Sequence, residues 1–309
     1  MRHAILGAGG VGGFIAACLA HIGESVTLVV RPETLADHPP KLRLESPFGS
    51  WTVEADWAAS VPPCDVIWLT IKATQLDSAL RSITNVEQIR AVVPLLNGVD
   101  HLPVLRAKFG VALGTTPGAD RVIPATIAGE FERVSVGHFI HRTPFAVLNI
   151  SSRGRELLQS ATDQLRTLGV TCNFFDNEPT LMWSKLVFLG PLALTTTAFD
   201  RTVGEVMADT KTGGQLEGCI REACATGQAE GAKVDADAVL KIVKNAPPGM
   251  RSSMQKDVAH GRTPELDAIG GAIVRAAKHH GLTAPITEEL MARIEARVAR
   301  GPSTVGRAS

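Results

Sequence analysis

The chain has 309 residues, enough for two domains at roughly 150 residues each. Lysine plus arginine and aspartate plus glutamate are both 31, so the formal charge is zero and no basic field exists to recruit nucleic acid or an anionic membrane. Tyrosine is absent, which excludes a tyrosyl hydroxyl as proton donor. The five cysteines (Cys18, Cys64, Cys172, Cys219 and Cys224) are odd in number and lack paired CxxC spacing, so they read as reduced and structural, with no zinc site, in a cytoplasmic protein.

Residues 3–6 form a short apolar run. The glycines Gly7, Gly9, Gly10, Gly12 and Gly13 follow it, then a helically spaced stretch at 14–21, then a β-branched run at 25–30. That reads as strand, turn, helix, strand. A basic start and a small-residue end also suit a targeting signal, but five glycines make a poor secretory helix and a good tight turn. Further apolar runs at 66–71, 91–96 and 111–114 alternate with helical stretches at 76–83 and 102–109. This alternation predicts an α/β domain with a parallel sheet covered on both faces. Two hairpin-like segments accompany it, KLRLESPFGSWTVEA and RVSVGHFIHRTPFAVLNI.

Beyond Asn177 the pattern becomes helix after helix, at 180–197, 206–231, 235–245, 264–281 and 286–300. The expected boundaries are therefore 1–176 for a nucleotide-binding domain and 177–309 for a helical domain, with 302–309 as a frayed tail. Gly190 and Pro191 are expected to break the most apolar stretch, leaving nothing long enough to span a bilayer. The apolar helices leave open whether they pack inward or against a second copy in a homodimer.

Gly7, Gly9 and Gly12 spell G-x-G-x-x-G between a predicted strand and the start of a helix, the context of a dinucleotide fingerprint. The first glycine permits the turn, the second lets a pyrophosphate approach the backbone, and the third lets helix and strand pack closely. The turn Gly7, Ala8, Gly9, Gly10, Val11 and Gly12 is the expected cofactor cradle. Where an NAD-preferring chain carries a carboxylate after the second strand, this one has Arg31, whose guanidinium suits a 2′-phosphate, so NADP is favoured. Lys72 and Asn97 each follow a predicted strand at the carboxyl edge, where such sheets bind ligands.

A hydride delivered to a carbonyl carbon leaves negative charge on oxygen that an acid must neutralise. With no tyrosine and no metal site, Lys185 is the best available donor: it is the single charged residue in the apolar stretch LMWSKLVFLGPLALTTTAF, where burial lowers a lysine's pKa. Snorkelling to water is the alternative reading. Glu265, opening a later helix, is either its anchor or a simple cap.

Taken in order, GAGGVGG, Arg31, IKATQ with Lys72, LLNGVDH with Asn97, MWSKL with Lys185, RSSMQKD with Ser253 and TPELD with Glu265 resemble ketopantoate reductase (2-dehydropantoate 2-reductase) over nearly the whole chain. The resemblance implies an amino-terminal Rossmann domain, a helical carboxyl-terminal domain and an active site in the cleft between them. It implies NADPH reducing the 2-oxo group of ketopantoate, a step toward pantothenate and coenzyme A. Lys185 would be the general acid, and Asn97, Ser253 and Glu265 would hold substrate and nicotinamide ribose.

The departures bear on the substrate. Family members present asparagines four and eight residues after the lysine; here these substrate-facing positions are Leu189 and Ala193, and a further asparagine five after the glutamate is Gly270. Losing three polar grips predicts a pocket for a more apolar or bulkier 2-oxo acid, or a related carbonyl compound, than ketopantoate, with ketopantoate itself and a relaxed 2-oxo acid specificity as the other substrate readings. An opine- or imine-type dehydrogenase and a non-catalytic NADP-binding sensor are the competing readings.

Overall fold

The computed structural model describes residues 1–84, 86–110 and 121–300. The expected strand at 111–114 and the tail at 302–309 lie outside them. The chain forms two compact units: residues 1–96 with 100–181, and Asn97–Val99 with the chain from Met182 onward.

The first unit is built on five parallel strands: β1 (Arg2–Leu6), β2 (Ser25–Val29), β5 (Asp56–Ala58), β6 (Val66–Leu69) and β7 (Ala91–Pro94), in the order β5-β2-β1-β6-β7. β6 and β7 are buried at every residue, as strands covered on both faces must be. Helix α1 (Gly10–His21) connects β1 to β2. Strand order reverses about β1, with β2 on one side and β6 on the other, which makes the carboxyl end of β1 the switch point where ligands of such sheets bind.

The first hairpin-like segment forms as expected and the second in part, since its end at 146–150 joins a different sheet. β3 (Lys41–Ser46) and β4 (Gly49–Glu54) are one, β9 (Phe131–Ser135) and β10 (His138–His141) the other. Periodicity did not reveal their association. β10 pairs in parallel with β3, joining the hairpins into a second sheet of order β4-β3-β10-β9, with β9 at its edge. A third sheet joins β8 (Ala125–Ala128), β11 (Ala146–Ser151) and β12 (Val170–Phe175). Between the helices α2 (Leu76–Ser82) and α3 (His101–Phe109) lies β7, and α4 (Arg155–Thr167) links β11 to β12.

Helix α5 (Glu178–Phe199) starts in the first unit and enters the second at Met182. Contrary to expectation, Gly190 and Pro191 do not break it. Pro191 removes the N–H that the Val187 carbonyl would receive. The buried flanking side chains Leu186, Val187, Leu192 and Leu194 nevertheless hold the helix in the core. Gly190 is a close-packing site: a Cβ there would stand 3.2 Å from Ile273 Cδ1. The helix is long and apolar enough to cross a membrane by length and composition, yet most of it is buried within the protein, as in a core helix.

The remaining helices are α6 (Val203–Ala208), α7 (Thr210–Ala229), α8 (Ala236–Lys244), α9 (Ser253–Ala259), α10 (Ala272–His279) and α11 (Pro285–Ala299). The helix expected over 206–231 is two helices, because Asp209 caps α7 by accepting hydrogen bonds from the backbone N–H groups of Lys211 and Thr212, each at 3.0 Å. The stretch expected as one helix over 264–281 contains a π-helical turn, Asp267–Gly271, before α10.

Candidate active site

In the first unit the turn between β1 and α1 uses its glycines for different reasons. Gly7 has φ +110°, a conformation that L side chains rarely adopt. A Cβ on Gly12 would strike the Gly7 carbonyl, and one on Gly10 would strike the Phe131 carbonyl of β9. Gly9 is under neither constraint: its φ is −80° and a Cβ would meet nothing within 4 Å. The fold therefore does not require glycine at position 9. Bare backbone on the open side of a turn that leads into a helix N-terminus is what an approaching pyrophosphate requires, so the cradle fits a dinucleotide.

Thr70, directly after β6, clamps the turn by donating its hydroxyl to the Gly7 carbonyl at 2.7 Å. Sequence reading passed over it because a threonine after a strand carries no signature. Ala8 is buried and Val11 half-buried. Arg31 follows β2, is largely exposed, and lies 3.6 Å from Glu33 Oε1. Lys72 follows β6 and is half-buried. These two cations follow the strands on either side of β1.

In the second unit three predicted residues come together. Lys185, on α5, donates from Nζ to Asn97 Oδ1 at 3.0 Å, and Asn97 Nδ2 donates to Glu265 Oε2 at 3.0 Å. The amide thus has a single productive orientation, its oxygen toward the ammonium and its nitrogen toward the carboxylate. Glu265 is buried. Burial pulls the Lys185 ammonium down from its ordinary 10.5 to about 8, and the Glu265 carboxylate opposes the fall. A proton on this lysine is transferable near neutrality.

Asn97 is held by its neighbour. Gly98 has φ +81°, and a Cβ there would sit on the Ala268 carbonyl oxygen, which belongs to the π-helical turn. The wider turn brings that carbonyl up to the Asn97–Val99 segment. Neither Gly98's packing role nor the π-turn was legible, since Asn-Gly is a common turn pair.

Ser253 begins α9 and is exposed. Its neighbour Ser252 makes the structural contacts, capping α9 at Gln255 N–H (3.1 Å) and meeting the Thr196 hydroxyl of α5 (3.0 Å). Leu189 and Ala193 follow Lys185 by one and two helical turns; the first is half-buried and the second buried. Gly270 is packed shut: a Cβ there would stand 2.7 Å from Met291 Sδ and 3.1 Å from Leu194 Cδ2.

Two family models match the chain, "Ketopantoate reductase PanE/ApbA" over residues 3–153 and "Ketopantoate reductase PanE/ApbA C terminal" over residues 179–298. The chain belongs to the ketopantoate reductase family. It is therefore an NADP-dependent oxidoreductase acting on CH–OH groups. Among its relatives, the 2-dehydropantoate 2-reductase of Mycobacterium tuberculosis is 28% identical, over 93% of this chain and 95% of that one. The fold matches the PanE/ApbA family ketopantoate reductase of Ralstonia eutropha JMP134, with a TM-score of 0.82 at 24% identity over 97% of this chain and 99% of that one. It also matches a D-mandelate dehydrogenase solved with NADH and anilino(oxo)acetate, with a TM-score of 0.81 at 21% identity and the same coverage.

Proposed function

We propose that the protein reduces the 2-oxo group of a 2-oxo acid to a 2-hydroxy acid in the cytoplasm, with NADPH, in the manner of ketopantoate reduction but with a preference for more apolar acids. The hydrogen-bonded chain Lys185–Asn97–Glu265, ending in an ammonium of pKa about 8, carries this reading. The residues 1–176 form the nucleotide domain and 177–309 the substrate domain in this proposal.

When bound, NADPH supplies the hydride for the carbonyl carbon. Lys185 hands its proton from Nζ to the carbonyl oxygen as that oxygen gains charge, and is left as a neutral amine. Asn97 holds Nζ in place by accepting one of its hydrogens, and Glu265 both orients Asn97 and keeps the lysine protonated before turnover. Ser253, exposed at the start of α9, would hold the substrate's polar end, and the turn from Gly7 to Gly12 would hold the pyrophosphate. Arg31 and Lys72 would read the 2′-phosphate, the feature that separates NADPH from NADH.

The apolar preference rests on Leu189 and Ala193, which offer the substrate no hydrogen bond, and on Gly270, whose position is already filled by Met291 and Leu194. The structure of a D-mandelate dehydrogenase of the same fold with anilino(oxo)acetate, an aryl-bearing compound, supports it. The deciding measurement is NADPH oxidation with ketopantoate, 2-oxoisovalerate and phenylglyoxylate. A kcat/KM at least about tenfold higher for the apolar acids is expected, in line with one or two lost polar contacts. A clear ketopantoate preference overturns the specificity, and no oxidation with any 2-oxo acid overturns the reaction.

A further inference from the structure

We infer that Arg133, on the edge strand β9, is a pyrophosphate-gripping residue of the dinucleotide site. The inference rests on the glycine turn being that site and extends it with a residue from a different sheet. Strand β9 lies directly over the turn: the Phe131 carbonyl occupies the space a Cβ on Gly10 would need, and the Phe131 ring packs on Phe14 of α1 at 4.5 Å. Gly13 of the same helix is likewise pressed against the Phe139 ring of β10. The register of β9 on α1 is thus fixed by close packing.

Side chains two apart on a strand share a face, so Arg133 projects on the Phe131 side, about 6.6 Å further along. Its Nη1 donates to the Ala8 carbonyl at 3.4 Å, inside the glycine turn. Glu132, on the other face, is engaged by Arg142, whose Nε donates to it at 2.8 Å. Among the described residues no carboxylate pairs with Arg133, and its side chain is exposed. A single long contact to a neutral carbonyl leaves the charge and most of the guanidinium fork uncommitted. The Ala8 carbonyl it touches immediately precedes Gly9, the position whose bare backbone nothing in the fold requires. A phosphate diester is the ligand class that matches a planar cation next to bare backbone N–H groups.

The pyrophosphate is common to NADPH and NADH, whereas the 2′-phosphate belongs to NADPH alone, and this separates Arg133 from Arg31. Calorimetric titration of the full chain with each cofactor, on Arg133→Ala, Arg133→Gln and Arg31→Ala, reads the difference. Arg133→Ala should weaken both cofactors by the same factor, about tenfold, as expected for one charge-assisted contact. Arg133→Gln keeps a donor for the Ala8 carbonyl but no charge, and should lose as much. Arg31→Ala should weaken NADPH alone. The melting temperature of the cofactor-free Arg133 variants should stay at the wild-type value. Unchanged affinities, a loss confined to NADPH, rescue by glutamine, or a fall in the cofactor-free melting temperature that accounts for the loss would each overturn the assignment. Failure of the wild type to bind either cofactor would instead remove the dinucleotide reading itself.

Discussion

Lys185 has its proton affinity set by two opposed forces of known sign. Burial favours the neutral amine, Glu265 favours the ammonium, and burial wins by enough to bring the value to about 8. In the reductive direction the protonated form is the active one. The ratio kcat/KM, which reports the free enzyme, should therefore be level below about pH 8 and fall tenfold per unit above it. Glu265→Gln removes the force that holds the proton on, so the break should move to lower pH, with most of kcat retained well below the new break. A break that stays at 8 or rises counts against the relay. Lys185→Ala should lower kcat by about 100- to 10,000-fold while calorimetric NADPH binding persists, and retained turnover would remove the lysine from the chemistry. Both ionisable residues were legible, because a lone charge in an apolar helix and a carboxylate at a helix start are local signals. Asn97 stood out as a strand-end residue and, through the resemblance, as a substrate or ribose contact, but its bridging of the two was not legible. Thr70 and Arg133 gave no signal at all, since their meaning lies in a carbonyl brought close by distant strands.

Elements show the same division between local and long-range causes. The alternation of strands and helices was readable because both sheet faces are buried, and the hairpins because turn residues separate alternating runs. The union of the hairpins into one sheet was not, since the parallel pair β10 and β3 joins segments about a hundred residues apart. The break between α6 and α7 was carried by one side chain, Asp209, within a stretch of continuous apolar spacing. Helix α5 erred in the opposite direction, because Gly190 signals close approach to Ile273 and not termination. The seam between α5 and α9 yields a test. Ser252 caps α9 and also meets the Thr196 hydroxyl, so Ser252→Ala should destabilise the protein by about 1–2 kcal/mol through the lost cap and the buried hydroxyl left with one partner fewer. Denaturant midpoints check this, and an unchanged midpoint would mean the seam contributes nothing. Gly98→Ala is a harsher change, since the π-turn carbonyl blocks the new methyl and the αL conformation alone costs about 1–3 kcal/mol. It should lower kcat as well as stability because it displaces Asn97, and normal kinetics would show that the π-turn does not position the amide.

At the scale of the whole molecule, the described residues form two cores, one around α1 and the sheets and one around α5, α7, α10 and α11. Independent cores ordinarily allow independent melting. Here the chain shares material between the units in two places. Asn97–Val99 belongs to the second unit while β7 before it and α3 after it belong to the first. Helix α5 belongs to both, and its first turn is fastened in the first unit, where Glu178 receives Arg106 Nη2 at 2.6 Å and the Ser151 hydroxyl at 3.0 Å and pairs with Arg153 at 3.0 Å. Melting either unit must therefore unwind a helix that the other needs, and helix formation is cooperative along its length. A single calorimetric transition is expected, with calorimetric and van't Hoff enthalpies equal, and NADPH at one hundred times its Kd should raise the stability of the whole by about 2.7 kcal/mol. Glu178→Ala releases the helix from the first unit and should split the transition in two. NADPH should then move only the half that contains the glycine turn. Two transitions in the wild type, or one in the variant, would show that the shared helix does not couple the cores.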